Sequence, residues 1–416
     1  MQSEPVLGEG PPADASLSSS LRSLVKQVRS GEVGVIPVLV GLILLALIFQ
    51  TQDSAFLSAG NLTNLLVQGA VFILLGMAEV FVLILGEIDL STGFVAGIGA
   101  VITCELAAPP HNLPWFVCIL AGLAATTAIG VLQGTLVTRL RLPSFVVTLA
   151  GLLGWEGVLI FLIQKSGNSN GGTIPITNNI LNDIVNGNLG IVAGWIVMGI
   201  IVVFFGLLIA RRDRNRRASG LTSSPPSLTA VKIGLLAVIG VGVCLICNAN
   251  RGSLIPLKGI PWVVLVVLAI LAAWTFLLGR TRFGRYLYAI GGNAEAARRA
   301  GVNLTRVRTT AFALSGLTSG AAGIVYASRL GSISTDIDGG TLVLYAVAAA
   351  VIGGASLFGG RGKMVHALLG GLVIAAIYNG MGLIGLGAAE QDMVTALVLL
   401  AAVSVDALAR RGRLTR

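Results

Sequence analysis

The chain has 416 residues and a formal net charge of +10, with 55% of its residues hydrophobic and only 11% charged. Soluble domains carry charge on about 25% of their residues, so this composition excludes an ordinary soluble protein. Apolar runs of roughly 17–25 residues, the length that crosses about 30 Å of hydrocarbon, recur along the chain. They predict an all-α polytopic membrane protein. The runs do not alternate between apolar and polar residues, which disfavours a β-barrel.

The distribution of the basic residues predicts the orientation of the chain. In the arrangement of spans given below, 24 of the 28 Lys and Arg residues lie on one side of the membrane. Because Lys and Arg are enriched in cytoplasmic loops, we expect both termini in the cytoplasm. No basic stripe is interleaved with aromatic residues, which argues against nucleic-acid binding.

The first half of the chain begins with a tail and continues with six predicted spans. Residues 1–33 are rich in Ser, Pro and Glu near their start, and we predict a disordered cytoplasmic tail there. Residues 34–210 are predicted to form the first transmembrane half. Its spans cover about 34–50, 62–85, 93–108, 115–138, 144–164 and 189–210.

A short polar motif, GEIDLSTG at residues 86–93, interrupts the apolar sequence between the second and third spans. A carboxylate at membrane depth costs about 3 kcal/mol unless it is paired or hydrated. Irregular backbone there is tolerated only where it faces protein or water. We therefore predict that Glu87 and Asp89 belong to a translocation pathway or a gate. The alternative is a purely structural break between two helices.

A basic linker, residues 211–230, separates the first half from a second transmembrane half at 231–409. Residues 410–416 are predicted to form a cytoplasmic tail. The spans of the second half cover about 231–249, 260–278, 309–329, 342–358, 364–386 and 393–409, which makes about twelve spans in all, with 10–14 possible.

The two halves contain a weak internal echo. Three residues of the stretch 84–93, Gly86, Leu90 and Gly93, recur as Gly353, Leu357 and Gly360, at a constant shift of 267 residues, and apolar residues precede the first glycine in both places. The echo predicts two loosely related halves, each with a glycine-broken apolar segment. In transporters, such broken segments at corresponding positions indicate the central pathway.

The most basic loop of the chain, residues 279–308, carries seven Arg and one Glu between two apolar runs. An Asn suited to cap a helix, a Glu in the first turn, two Arg in the last turn and a Gly suited to a left-handed conformation predict a short capped helix. We expect this helix to dock on a partner, the alternative being a loop that only fixes orientation. Its predicted residues are Asn293, Glu295, Ala297, Arg298, Arg299 and Gly301.

Enzyme motifs are missing from the sequence, but ion coupling stays open. A secondary transporter would use intramembrane acids such as Glu79, Glu87 and Asp89 to couple transport to an ion. The glycine-rich stretch 359–364 lacks the Ser or Thr that follows Lys in a phosphate-binding loop. We therefore expect a transport protein that is not an enzyme, binds no metal and carries no cofactor of its own.

Four segments resemble the permease subunits of bacterial ATP-binding-cassette sugar importers of the ribose and xylose type, within the branched-chain amino-acid/ribose permease superfamily. They are GEIDLSTG at 86–93, LPSFVVTLAGLLGWEG at 142–157, FGRYLYAIGGNAEAARRAGVN at 283–303 and VIGGASLFGGRG at 351–362. Glu87 stands where ribose-type permeases usually carry Gly, which favours the xylose type. The last segment departs from that pattern at residues 361–366.

The resemblance implies a division of labour between several proteins. Two permease chains, expected to form a homodimer in the bacterial plasma membrane, make the channel. A separate cytoplasmic ATPase binds ATP-Mg and docks on the helix Asn293–Gly301, and an extracytoplasmic binding protein delivers the sugar.

The transported molecule is expected to be an uncharged sugar, with D-xylose as the first candidate. For such a sugar we expect a pathway lined by hydrogen-bonding groups. The candidates are Glu87, Asp89, Ser91, Ser144, Thr148, Trp155 and Asn379. An ion-coupled secondary transporter and an amino-acid permease of the same superfamily remain the alternatives.

Overall fold

The computed structural model describes residues 36–219, 226–252 and 256–414. This part of the chain is mostly helical, as the composition predicts, and its four strands have only two or three residues each. The predicted tail 1–33 lies outside the described residues.

The helices and strands follow one another with short connections. Those before the basic linker are α1 (Ile36–Gln52), α2 (Ala59–Leu85), α3 (Thr92–Ala107), α4 (Trp115–Arg139), α5 (Ser144–Lys165), β1 (Thr173–Pro175), α6 (Asn179–Asn186), β2 (Asn188–Leu189) and α7 (Ile191–Ala218). Those after it are α8 (Pro226–Asn248), β3 (Ile260–Pro261), α9 (Trp262–Arg280), α10 (Arg282–Gly292), α11 (Ala294–Arg299), α12 (Leu304–Leu330), β4 (Ser332–Ser334), α13 (Gly339–Ile352), α14 (Met364–Leu383) and α15 (Ala388–Leu414).

Each of the predicted spans falls on one of these helices. In the described part of the chain, eight helices are long and apolar enough to cross a membrane, and three further apolar helices, α1, α3 and α13, are shorter. The prediction of an all-α polytopic membrane protein is confirmed. The short helices α3 and α13 each adjoin one of the two glycine-broken segments, which explains their length.

Several predicted boundaries differ from the observed ones. Helix α7 continues through the basic run to Ala218, because Arg is a good helix former and the run contains neither Gly nor Pro. Helix α13 ends at Ile352, before Gly353 and Gly354, rather than near residue 358. Helix α15 continues to Leu414, into the predicted tail.

The chain forms two compact units, one of residues 190–260 and one of residues 34–189 with 261–416. The first unit contains α7 and α8, which pack against each other where Gly240 of α8 lies against Met198 of α7. At their basic ends the Asp213 carboxylate accepts a hydrogen bond from Thr229 at 2.7 Å and lies 3.9 Å from the Lys232 ammonium.

Helix α2 is the core of the larger unit. Every residue from Gln68 to Leu85 is buried, although the helix is apolar enough to face lipid. Helix α14 runs antiparallel to it, since Gly371 lies against Ile73 and Gly69 lies against Ala375. A span enclosed by other spans needs no lipid-facing side, so its whole circumference can be used for packing.

Helix α12 packs antiparallel against α4 through small residues. Gly130 lies against the Phe312 carbonyl and Gly134 against Thr309. Small residues allow this close approach, which in lipid is stabilised mainly by van der Waals contact. The antiparallel crossing places the end of α4 and the start of α12 on one side of the unit, where the sequence predicts two basic loops.

Candidate functional site

The glycine-broken segment between α2 and α3 has a defined backbone conformation. Gly86 has φ +78°, a left-handed conformation, and ends α2 with its N–H donated to the Leu83 carbonyl at 2.9 Å. The Asp89 carboxylate then accepts hydrogen bonds from the Ser91 N–H at 3.0 Å and from the Ser91 hydroxyl at 2.6 Å. The break is therefore an ordered turn between two spans.

Three helices add polar side chains to this turn. The Gln133 side-chain amide of α4 donates to the Ser91 hydroxyl at 2.8 Å. The Ser315 hydroxyl of α12 donates to Asp89 at 3.4 Å, and the Thr148 hydroxyl of α5 donates to the Ile88 carbonyl at 3.2 Å. All of these side chains are buried. We call Asp89, Ser91, Gln133, Thr148 and Ser315 the central polar cluster.

A second buried carboxylate lies beside this cluster. Glu79 of α2 accepts a hydrogen bond from the Thr92 hydroxyl at 2.9 Å, and its other oxygen, Oε2, has no hydrogen-bond partner among the described residues. Glu79 is fully buried. An unpartnered carboxylate oxygen in a protein interior is uncommon, so Glu79 stands out among the buried polar side chains.

Glu87 points from the broken segment toward the basic side of the unit. Its Oε1 lies 3.2 Å from Nε of Arg308, in the second turn of α12. Both side chains line a cavity of about 400 Å³, together with Thr138, Arg141, Ser144 and Phe145. We call this cavity the basic-side cavity.

The remaining two pathway candidates are placed differently. Trp155 borders the central polar cluster, because a Cβ atom built on Gly151 would lie 3.3 Å from the Trp155 indole nitrogen and 3.3 Å from the Ser91 Cβ. Asn379 is held instead in an amide cluster, with Asn61 donating to it at 2.7 Å and Asn379 donating to Gln68 at 3.4 Å. Gln68 is about 27 Å along α2 from Gly86, at 1.5 Å per residue, so Asn379 does not join the other candidates.

The two broken segments that the internal echo indicates are in contact. The Gly360 N–H donates to the Ile84 carbonyl at 2.8 Å. The C-terminal end of α10 contacts both segments, because Gly291 lies against the Ile84 carbonyl and the Gly360 nitrogen. The Tyr288 hydroxyl of α10 also donates to the Gly362 carbonyl at 2.6 Å. Helix α10 is thus attached to both breaks at one point.

The predicted capped helix is present as α11. The Asn293 side chain accepts from the Ala296 N–H at 2.9 Å, and Gly301 has φ +83°. Ala297 is the residue of the helix that is buried. At six residues, α11 is shorter than the predicted Asn293–Gly301 segment, because Ala300 already leaves the helix.

The charges of α11 are paired within the helix. Arg298 makes two hydrogen bonds to Glu295, at 2.8 and 2.9 Å, and Arg299 makes one at 3.0 Å. These bonds lower the pKa of the Glu295 carboxyl. Their contribution is therefore present at neutral pH and is lost as the pH falls through that lowered pKa.

Comparison with known proteins gives the family. The sequence model described as "Branched-chain amino acid transport system / permease component" matches residues 61–403. The chain belongs to this permease family. The matched range begins in α2 and ends in α15, so it includes both broken segments and the α10–α11 region.

Several curated proteins are similar to this permease along nearly its whole length. The xylose transport system permease protein XylH of Haemophilus influenzae is 38% identical over 364 residues, which cover 88% of this chain and 93% of that protein. XylH of Escherichia coli K12 is 34% identical over 404 residues, 96% of this chain and 98% of that protein. The ribose import permease protein RbsC of E. coli K12 is 29% identical over 371 residues, 88% and 92% of the two chains. No solved structure matches.

Sequence reasoning missed four polar residues that the permease brings to the site. Gln133, Ser315 and Arg308 were not among the candidates, and Glu79 was considered only for ion coupling. Gln133 is a single amide in an apolar span, and that isolation was the available signal. Ser315 and Arg308 gave none, because Ser is common at helix contacts and Arg308 belongs to a loop already rich in Arg.

Proposed function

We propose that this chain is the membrane permease of an ATP-binding-cassette importer that passes a neutral monosaccharide into the cytoplasm, with D-xylose as the first candidate substrate. The observation that carries the proposal is the convergence of uncharged hydrogen-bonding groups on an ordered break between α2 and α3, directly beside the attachment point of α10. Similarity to two xylose permeases over most of the chain supports the choice of sugar.

A pathway for a neutral sugar needs donors and acceptors that exchange hydrogen bonds without holding the sugar tightly. The Gln133 amide and the hydroxyls of Ser91, Ser315 and Thr148 meet this need. Asp89 orients two of these hydroxyls by accepting a hydrogen bond from each. In this proposal Asp89 is a positioning residue, and the hydroxyls and the amide face the sugar.

Helix α11 is the docking element for a cytoplasmic ATPase that binds ATP-Mg. It is short, capped at both ends and joined through Asn293 to α10, which contacts both breaks. Rigid-body movement of such a unit would change both breaks together. In the same proposal the permease is a homodimer of the bacterial inner membrane, both termini are cytoplasmic, and an extracytoplasmic binding protein delivers the sugar.

The test is transport by the reconstituted complex. We would purify the permease with the ATPase and the sugar-binding protein encoded beside it, reconstitute them in proteoliposomes and measure uptake of radiolabelled D-xylose. ATP-dependent uptake that survives proton and sodium ionophores is expected. Uptake driven by an ion gradient without ATP would favour the secondary transporter, and stimulation by an amino-acid-binding protein would favour the amino-acid permease.

Replacing Arg298 and Arg299 together with alanine should weaken ATPase association at least tenfold. Charge pairs buried at an interface are worth about 2–5 kcal/mol each when one partner is removed, and both guanidinium groups are exposed in the free permease. Co-purification at graded salt concentrations, with binding measured by biolayer interferometry, would give the change.

The matched control is the double variant Arg280→Ala/Arg306→Ala. It removes the same charge from exposed positions of the same basic region but leaves α11 intact. Association should stay within about twofold for this variant. An equal loss in both double variants would mean that the region contributes only general positive charge and fixes orientation.

A further inference from the structure

The basic-side cavity contains polar groups that the fold itself does not use. Glu87 is only 9% exposed, and its Oε2 has no hydrogen-bond partner among the described residues. The cavity is also lined by Arg141 and Ser144, and neither the guanidinium nor the hydroxyl makes a hydrogen bond or ion pair with the described residues. The cavity thus offers one carboxylate, one cationic donor and one hydroxyl to a ligand.

The backbone at the cavity is also unusual. Arg141 has φ +56°, a left-handed conformation that non-glycine residues seldom adopt. Uncommon backbone conformations concentrate at ligand-binding sites, where the surrounding structure maintains them. Here the conformation lies in the short turn between α4 and α5 and places Arg141 on the cavity beside Ser144.

The charges restrict which ligand the cavity can take. A cation would be repelled by Arg141 and Arg308. An anion could pair with Arg141, but it would also lie against the Glu87 carboxylate, whose Oε1 is 3.2 Å from Arg308. A neutral polyhydroxylated molecule fits best, because one hydroxyl can donate to the Glu87 carboxylate that lines the cavity while ring and hydroxyl oxygens accept from Arg141 and Ser144. The volume of about 400 Å³ lies at the small end of the range of ligand pockets.

We propose that the basic-side cavity is a second sugar site, which binds a neutral monosaccharide after it leaves the central polar cluster. Its biological role rests on the function proposed above, with the basic side facing the cytoplasm. Glu87 is two residues from Asp89, so the two sites share one broken segment. Sugar that accumulates in the cytoplasm would rebind here. Occupancy of the cavity would then rise with the cytoplasmic sugar concentration and would act on the broken segment that the two sites share.

Protection from thiol labelling tests this site on the permease without its partners. Ser144→Cys permease in lipid nanodiscs would be labelled with a charged methanethiosulfonate reagent at increasing D-xylose concentration. Millimolar D-xylose should slow labelling at least threefold. Adding Glu87→Gln should raise the half-protecting concentration about tenfold, because one hydroxyl loses its charged acceptor.

Gly292→Cys is the matched control, since this position is exposed in the same basic region, and a side chain there has no neighbour within 4 Å. D-xylose should not change its labelling rate. Absence of protection at Ser144→Cys, equal protection at both positions, or protection by inorganic phosphate in place of D-xylose would each overturn the proposal. D-xylose uptake by the complete importer separates the two ideas: uptake without protection removes only the second site, whereas absence of uptake removes the proposed function.

Discussion

Gly291→Ala should lower ATP-driven sugar uptake at least tenfold while the neighbouring Gly292→Ala leaves it unchanged. A Cβ atom at Gly291 would collide with the Ile84 carbonyl oxygen and lie 2.7 Å from the Gly360 nitrogen, so α10 must move away from both breaks. Extra atoms in a tightly packed contact cost about 1–3 kcal/mol. Here the clash is with backbone atoms, which cannot rotate away as a side chain could. Because 1.4 kcal/mol is a factor of about ten, we expect uptake to fall at least tenfold.

The pair of variants separates coupling from folding. Gly292 has no atom within 4 Å of its would-be Cβ, so its substitution adds the same methyl group without a clash. ATPase co-purification and thermal melting of the detergent-solubilised complex would be measured alongside uptake. The expected Gly291→Ala phenotype is a complex that assembles and hydrolyses ATP but no longer transports. Normal uptake by Gly291→Ala would show that this contact does not couple ATP hydrolysis to transport.

Asp89→Ala should lower both uptake and thermal stability. The substitution leaves the Ser91 N–H, the Ser91 hydroxyl and the Ser315 hydroxyl without their shared acceptor. A buried donor left without its acceptor costs about 1–3 kcal/mol. We expect the melting temperature to fall by about 5 °C or more, and uptake to fall at least tenfold, because Ser91 loses the group that orients it.

Two further variants identify the role of Asp89. Asp89→Asn keeps an oxygen acceptor for Ser91 and should restore most of the melting temperature while uptake stays low, because the amide nitrogen that replaces the second oxygen cannot accept from Ser315. Glu156→Ala removes another carboxylate of the membrane region, one that is half-exposed on α5 and outside the cluster, and should change neither quantity. Full recovery of uptake in Asp89→Asn would assign Asp89 a structural role alone.

The membrane class and the helical elements followed from the sequence, because both depend on local properties. Length and continuity of apolar runs locate the spans, and caps such as Asn293 and Gly301 act through hydrogen bonds within a few residues. That Glu87 and Asp89 would need partners was also predictable, because a carboxylate between apolar spans is costly wherever the helices go, and both side chains are buried and paired. The boundaries were less accurate where a good helix-forming run, such as Arg211–Arg217, extends a span.

Tertiary packing decided which residues belong to the candidate site. Gln133, Ser315 and Arg308 lie 42, 226 and 221 positions from their partners Ser91, Asp89 and Glu87, and no local pattern shows that α4 and α12 meet at the break. Asn379 resembled the other candidates in sequence, yet the direction of α14 places it beside the opposite end of α2. Residue type and position along the chain show which side chains are costly to bury. The packing of the helices decides which of these side chains contact one another and which atoms, such as Glu87 Oε2, are left without a partner.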